Sequence, residues 1–263
     1  MKKVALITGA TGGLGRALAL EHVRHGGDVI LVARKATKVH VLAAELHQVA
    51  PGQQVESVVV DFTAADAAQR VFATVQVLGW PVDYLINNAG FGGGSVFVTR
   101  SAACDLAMVQ VNAAVPTALL KLFLPGMVAR GHGRVLNVAS AAAWFPGPEQ
   151  ATYFATKAYL AVLSNALWYE LKPLGIRVTT LLPGPIETGF AQAGQLTQTR
   201  LFAPGTGVAP QIVARVGYAG MMRGKRQVIV GMAWWMRWAA QCYPWLPKRL
   251  VLAVIAALQR PRP

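Results

Sequence analysis

Val4-Ala5-Leu6-Ile7-Thr8-Gly9-Ala10-Thr11-Gly12-Gly13-Leu14-Gly15 is the stretch on which the reading of the fold turns. A short aliphatic run enters a glycine-rich turn, and a helix pattern, Arg16-Ala17-Leu18-Ala19-Leu20, starts directly after it. Buried strand, tight turn and helix in that order open a βαβ unit. Glycine at such a turn lets backbone N–H groups come close to a diphosphate, whose charge the helix N-terminus also favours. The spacing G-xxx-G-x-G departs from the usual G-x-G-x-x-G fingerprint. On its own, therefore, the turn leaves a plain structural corner standing as an alternative.

Working outward, apolar β-branched runs alternate with helix-length segments as far as about residue 230. Strands are expected near residues 4–7, 29–32, 55–60, 84–86, 134–138, 177–182 and 227–230. Seven strands with helices between them predict a doubly wound, Rossmann-type parallel sheet with helices on both faces, in one α/β domain. Local punctuation agrees: Gly26-Gly27 closes the first helix, Thr63 with Asp66 reads as a capping box, and Gly131 and Gly133 flank the turn into the fifth strand.

Composition bounds the rest. The 263 residues suffice for one large domain, and 54% hydrophobic against 14% charged residues excludes a disordered polar chain. Cys104 and Cys242 stand apart with no CxxC and no histidine at metal spacing, so neither a disulfide framework nor a metal site is expected. Lys2 and Lys3 precede only four apolar residues before Thr8, too few for an export signal, and the expected location is cytoplasmic.

At the end of the second strand a dinucleotide fold reaches the adenosine ribose, where a carboxylate would bind the 2′-hydroxyl and repel a 2′-phosphate. Here Val32-Ala33-Arg34-Lys35 offers two cations instead, Arg34 able to grip a phosphate by its fork. The plainer alternative is two solvated charges opening the next helix. Further on, Tyr153 and Lys157 lie four apart in segment 151–169, which reads as a helix, so they share one face. An ammonium beside a phenol is expected to stabilise the phenolate and lower its pKa from about 10. A half-buried tyrosine near a surface lysine has the same spacing.

The joint pattern separates these alternatives. Over about residues 1–230 the sequence resembles the classical short-chain dehydrogenase/reductase family. Thr8 to Gly15 is similar to its glycine motif, Asn87-Asn88-Ala89-Gly90 to its NNAG, and Ser140 stands thirteen residues before Tyr153. Asn112 matches within Val111-Asn112-Ala113, Pro183-Gly184 follows the sixth strand, and Thr188 matches the position that meets the nicotinamide carboxamide. The resemblance implies a catalytic set of Asn112, Ser140, Tyr153 and Lys157. Tyr153 would pass a proton to or from the substrate oxygen, Ser140 would hydrogen-bond that oxygen, Lys157 would hold the nicotinamide ribose and depress the Tyr153 pKa, and Asn112 would hold a relay water. It also implies an NADP(H) site. Gly9, Thr11, Gly12, Gly13, Leu14 and Gly15 would take the diphosphate, and Arg34 and Lys35 the 2′-phosphate. Asp61 and Phe62 would lie near the adenine, with Asn88, Ala89, Gly90, Tyr153, Lys157, Pro183, Gly184, Ile186 and Thr188 along the rest of the cofactor.

The expected activity is hydride transfer between NADP(H) and a carbonyl or hydroxyl group. Apolar loops, with Trp144 and Phe145 in one and a lid-like stretch at 190–208 in another, favour an apolar substrate: a ketoacyl chain, an aromatic ketone or a steroid-like ring. A homodimer or homotetramer is expected, and no nucleic-acid partner. The rival reading is a non-enzymatic NADP(H)-binding regulatory or scaffold protein using its basic surface.

Residues 231–263 break the pattern. Net charge is +14, ten of the basic residues follow the last carboxylate, Glu187, and four of the seven tryptophans (Trp234, Trp235, Trp238, Trp245) gather here. Arg237 and prolines 244 and 247 interrupt the apolar runs, and residues 250–258 are far short of the about 20 needed to span a bilayer. Three roles fit this tail: an interfacial, peripheral membrane contact, a subunit interface, or a flap over the substrate.

Overall fold

Runs such as Val4-Ala5-Leu6-Ile7, apolar at every position, suit strands covered on both faces. A computed structural model describes residues 2–200, 205–232, 238, 242 and 245–260, and all seven expected strands form in it. In chain order the elements are β1 (Val4–Thr8), α1 (Gly13–Arg24), β2 (Asp28–Ala33), α2 (Ala36–Val49), β3 (Val55–Val59), α3 (Ala67–Leu78) and β4 (Val82–Asn87). Then come α4 (Ala102–Val109), α5 (Val115–Ala129), β5 (Gly133–Val138), α6 (Ala151–Leu171), β6 (Ile176–Pro183), α7 (Phe190–Ala193), α8 (Pro210–Met222), β7 (Gln227–Val230) and α9 (Lys248–Gln259). The sheet runs β3-β2-β1-β4-β5-β6-β7, every pair parallel. The fold is the doubly wound α/β sheet that the alternation implied.

The strand period of two divides the core. Ala5, Ile7, Val29 and Leu31 pack with α1, α2 and α8 on one face, while Val4, Leu6, Ile30 and Val32 pack with α3 and α5 on the other. Among the described residues one helical run, 102–129, is long and apolar enough to cross a membrane. Its Leu119, Leu120, Phe123 and Met127 sit in the second of these cores. Because the chain leaves β1 toward β2 in one direction and β4 lies on the other side, the switch between β1 and β4 opens a crevice at the carboxyl ends of the strands.

One local expectation needs correction. The Thr63–Asp66 capping box does not form: α3 begins at Ala67, Asp66 makes no capping bond, and Thr63 gives both its N–H and its hydroxyl to the Asp61 carboxylate at 2.9 Å. With α3 starting that late, Thr63 stands too far upstream to be its N-cap. Strand β3 stops at Val59, which leaves Asp61 two residues beyond it, and Ser140 lies past the end of β5, capping a 3-10 turn at Ala141–Trp144. Within the tail, Trp234, Trp235, Arg237 and Pro244 lie outside the described residues, as do residues 201–204 of the lid-like stretch.

Candidate active site

The carboxyl ends of β1 and β4 are stitched together. Thr8 Oγ1 accepts from the N–H groups of Asn88 and Ala89 at 2.9 and 3.0 Å, and Asn88 Nδ2 donates to the carbonyls of Thr8 and Gly9 at 2.9 and 3.1 Å. Gly9 has a φ of +64°, and a Cβ there would stand 2.8 Å from the Ala89 Cα, so both conformation and space demand glycine. At the first residue of α1, a Cβ on Gly13 would meet Thr188 Cγ2 at 2.6 Å. Bare backbone of the turn therefore faces the segment after β6, which Gly184 N–H anchors to Val230 O at 2.8 Å and Ile186 joins by a bridge to Val208. Thr11, Gly12, Leu14 and Gly15 complete the turn, with Leu14 buried in the core.

Around the turn, Arg34 is exposed at the end of β2, and Lys35 is the N-cap residue of α2. Asp61 is exposed, and the Thr63 N–H, followed by the Thr63 hydroxyl and the Arg34 charge, holds its carboxyl below the usual range. Phe62 beside it is buried. Pro183 ends β6. The sequence-expected cofactor residues thus all gather along the carboxyl edge of one sheet.

Tyr153 and Lys157 sit on the first two turns of α6. Lys157 is 4% exposed, and its Nζ donates to Val138 O at 2.9 Å, 5.8 Å from the Tyr153 ring centre. Ser140 lies near enough to the Tyr153 hydroxyl to lower its pKa, and its Oγ accepts from the Ala142 N–H at 3.1 Å. Gly90 lies between the other two groups: a Cβ there would stand 3.1 Å from Asn112 Oδ1 and 3.2 Å from Lys157 Nζ. Asn112 lies in a π-helical turn, Gln110–Ala114, between α4 and α5, an irregularity frequent at functional sites. Its amide accepts from Phe91 N–H at 3.1 Å and donates to Phe91 O at 2.9 Å and to Thr156 Oγ1 at 3.1 Å. All four expected catalytic residues are brought together.

Burial sets the electrostatics, and it corrects one expectation. Desolvation pushes the Tyr153 phenol up to about 12, against the lowering influence of Ser140, instead of down as the neighbouring ammonium led us to expect. The same burial pushes Lys157 down to about 8. A neutral phenol, a hydroxyl and an ammonium in one apolar place can donate a proton and hydrogen bonds to an oxygen that is gaining negative charge.

Sequence reasoning missed several neighbours. The Phe190 ring packs 5.5 Å from that of Tyr153, Thr156 supports Asn112, and the loop after β4 docks on the lid-like segment through Gly94 N–H to Gly194 O at 3.1 Å. Only Phe190, an aromatic at the head of the lid-like stretch, carried a signal; the others are tertiary contacts between generic residues.

Comparison with known proteins agrees with this geometry. A family model described as short chain dehydrogenase matches residues 3–199, and the chain belongs to that family of oxidoreductases. The chain is similar to the very-long-chain 3-oxoacyl-CoA reductase of Mycosarcoma maydis, with 34% identity over 179 residues, 67% of this chain and 51% of that protein. It spans about half the length of that relative. A solved short-chain dehydrogenase from Sphingobium yanoikuyae in complex with NADPH superposes with a TM-score of 0.82 and 28% identity, covering 96% of this chain and 95% of that one. A bulky-bulky ketone specific alcohol dehydrogenase from Comamonas testosteroni superposes with 0.79 and 26% identity over 96% and 94%.

Proposed function

We propose that the chain is an NADP(H)-dependent oxidoreductase that interconverts an apolar ketone and its secondary alcohol. The observation that carries this reading is the convergence of Ser140 and Lys157 on Tyr153 at the end of the crevice that the glycine turn opens. The turn fits a dinucleotide: Gly9, Gly13 and Gly15 present backbone where a Cβ would intrude, and α1 points its N-terminus there. Arg34 and Lys35, with no carboxylate at the end of β2, support a 2′-phosphate and hence NADP(H) over NAD(H); the NADPH held by the Sphingobium neighbour supports the same choice. When bound, the reduced nicotinamide supplies the hydride.

In the reducing direction Tyr153, neutral at physiological pH, donates its proton to the carbonyl oxygen while Ser140 donates a hydrogen bond to it. Lys157 holds positive charge near the developing phenolate and would hydrogen-bond the cofactor's ribose. Asn112 Oδ1 faces Lys157 across Gly90, and a water between them would return a proton from solvent. The apolar surroundings, Phe190 against Tyr153 and the partly buried Ala143 and Trp144 beside Ala161 and Leu182, support an acyl, aromatic or steroid-like substrate. The names of the reductase and of the bulky-ketone dehydrogenase point the same way. Leu106, Val109, Tyr159, Val162 and Tyr169, all exposed on α4 and α6, support a subunit contact through that face.

The test is NADPH oxidation across acyl, aromatic and steroid ketones, wild type beside Tyr153→Phe. At least one ketone should turn over, with the variant slower by about a hundredfold or more. NADPH binding with no turnover of any ketone would instead favour the scaffold reading.

A further inference from the structure

Helix α9 is joined to the loop that opens the catalytic helix. Gln259, 5% exposed, accepts from the buried Gln150 side chain, and Arg260 Nε pairs with Glu149 Oε1 at 3.1 Å. Gln150 is the N-cap residue of α6, three residues before Tyr153. Glu149 also takes the Ser95 N–H on its carbonyl at 2.8 Å, and Ser95 leads directly into Val96, Phe97 and Val98, which are 54, 65 and 85% exposed. One loop residue therefore links the end of α9, an exposed apolar tip and the entry to the catalytic helix.

The helix itself is apolar nearly all round. Val251, Leu252, Ile255 and Gln259 lie on its more buried side, whereas Leu250, Val254 and Leu258 repeat every fourth residue on the exposed side. Trp245, 89% exposed, precedes Lys248 and Arg249, which open the helix. No carboxylate occurs after Glu187. Twelve residues make a helix of about 18 Å, against about 30 Å of hydrocarbon, too short to cross a bilayer. An apolar stripe flanked by tryptophan and cations matches the headgroup layer of an anionic bilayer. A second copy of this strongly basic chain would bring like charges together at this end, and the nearby acid, Glu149, is already engaged by Arg260.

We propose that α9 seats on an anionic lipid surface, with Val96, Phe97 and Val98 beside it, so that the mouth of the active site faces the bilayer and an apolar ketone enters from lipid. The source of substrate rests on the function proposed above; the lipid contact does not.

Flotation of the full chain with phosphatidylcholine vesicles, with and without phosphatidylglycerol, tests the contact at low and high salt. The chain should float with the phosphatidylglycerol vesicles and release as salt rises. The triple change Leu250→Gln, Val254→Gln, Leu258→Gln touches only the outward side and should abolish flotation while leaving turnover of a water-soluble ketone unchanged. Lys248→Glu with Arg249→Glu should weaken partitioning on the order of tenfold or more. With a vesicle-dissolved ketone, the triple variant should show a raised KM and an unaltered kcat. Absence of flotation with anionic vesicles at low salt overturns the proposal, as does a triple variant that floats like wild type. Dissociation of an oligomer by the triple change, without vesicle binding, assigns the stripe to a second subunit and overturns it too. An unchanged KM for the vesicle-dissolved ketone overturns the route of entry. A chain that floats but reduces no ketone fails in the proposed function alone.

Discussion

At the scale of single residues, burial acts oppositely on the two members of the candidate catalytic pair. It keeps the Tyr153 proton in place, with a pKa near 12, and makes the Lys157 ammonium easier to lose, near 8. The two effects assign the titration that matters in working buffers to the lysine. Reduction should hold steady toward neutral pH and fall as pH rises through about 8, because Lys157 loses the charge that supports the reacting oxygen. A pH profile of kcat/KM shows the limb, and Lys157→Arg, whose guanidinium stays charged, should move it upward at whatever rate the variant retains. A limb unmoved by that change belongs to another group. On the proposed function, cofactor choice should rest on Arg34 in the same local way. Losing one charge-assisted contact of about 1.5–3 kcal/mol in Arg34→Ala should shrink the NADPH over NADH ratio of kcat/KM by roughly tenfold to a hundredfold. An unchanged ratio would leave Lys35, or neither cation, on the phosphate.

At the scale of elements, α6 must hold its register on the sheet for Lys157 to reach Val138 O. A buried chain of side chains supplies that register: Asn87 Nδ2 donates to Asn137 Oδ1, and Asn137 Nδ2 donates to Ser164 Oγ, each at 2.8 Å, two turns of α6 beyond Lys157. Ser164→Ala strands the Asn137 donor in the core and should cost about 1–3 kcal/mol of stability; urea unfolding measures it, and a loss under half a kilocalorie would mean that the register is held elsewhere. None of this chain was legible in the sequence, since Asn137 meets Ser164 only after a parallel crossover brings the strand and the helix together. The strands were legible because apolar runs and glycine punctuation are local signals, and the grouping of the candidate catalytic residues because their order along those strands is itself a pattern. The misread cap at Thr63 has the opposite cause: the Asp61 carboxylate two residues upstream takes both the N–H and the hydroxyl of Thr63 in a local turn, and α3 begins only at Ala67. Likewise the Tyr153 pKa could not be signed from the Lys157 spacing, because spacing gives proximity and says nothing of how dry the site is.

At the scale of the whole molecule, one buried histidine ties together four elements that meet at the amino edge of the sheet. His22 on α1 is 1% exposed; Nε2 faces the carbonyls of Lys3, ahead of β1, and Asp28, the first residue of β2, at 3.1 and 2.9 Å, and Nδ1 lies 3.0 Å from the Tyr218 hydroxyl of α8. Two carbonyls on Nε2 place the proton there, which leaves Nδ1 to accept from the tyrosine, so the native ring is neutral. Burial lowers its pKa below the ordinary value, outweighing the two carbonyl bonds that would raise it. The unfolded chain therefore takes up a proton near pH 6.5 while the folded chain does not, and folding stability falls as pH drops below that value, by up to about 1.4 kcal/mol per unit for one proton. Above 6.5 both states are neutral at this site and it contributes no slope. Lys157 departs from its ordinary value only in the alkaline range and Asp61 only below the usual carboxylate range, so neither shift competes in the window from 6.5 downward. Urea unfolding between pH 8 and pH 5 should show a decline below about 6.5, little slope just above it, and a rise toward pH 8 where folded Lys157 begins to lose its proton. His22→Leu should be less stable at pH 8, since it leaves Tyr218 and two carbonyls short of their bonds, yet flatter toward pH 5. Parallel stability curves for the two chains would remove His22 as the source of the acid sensitivity.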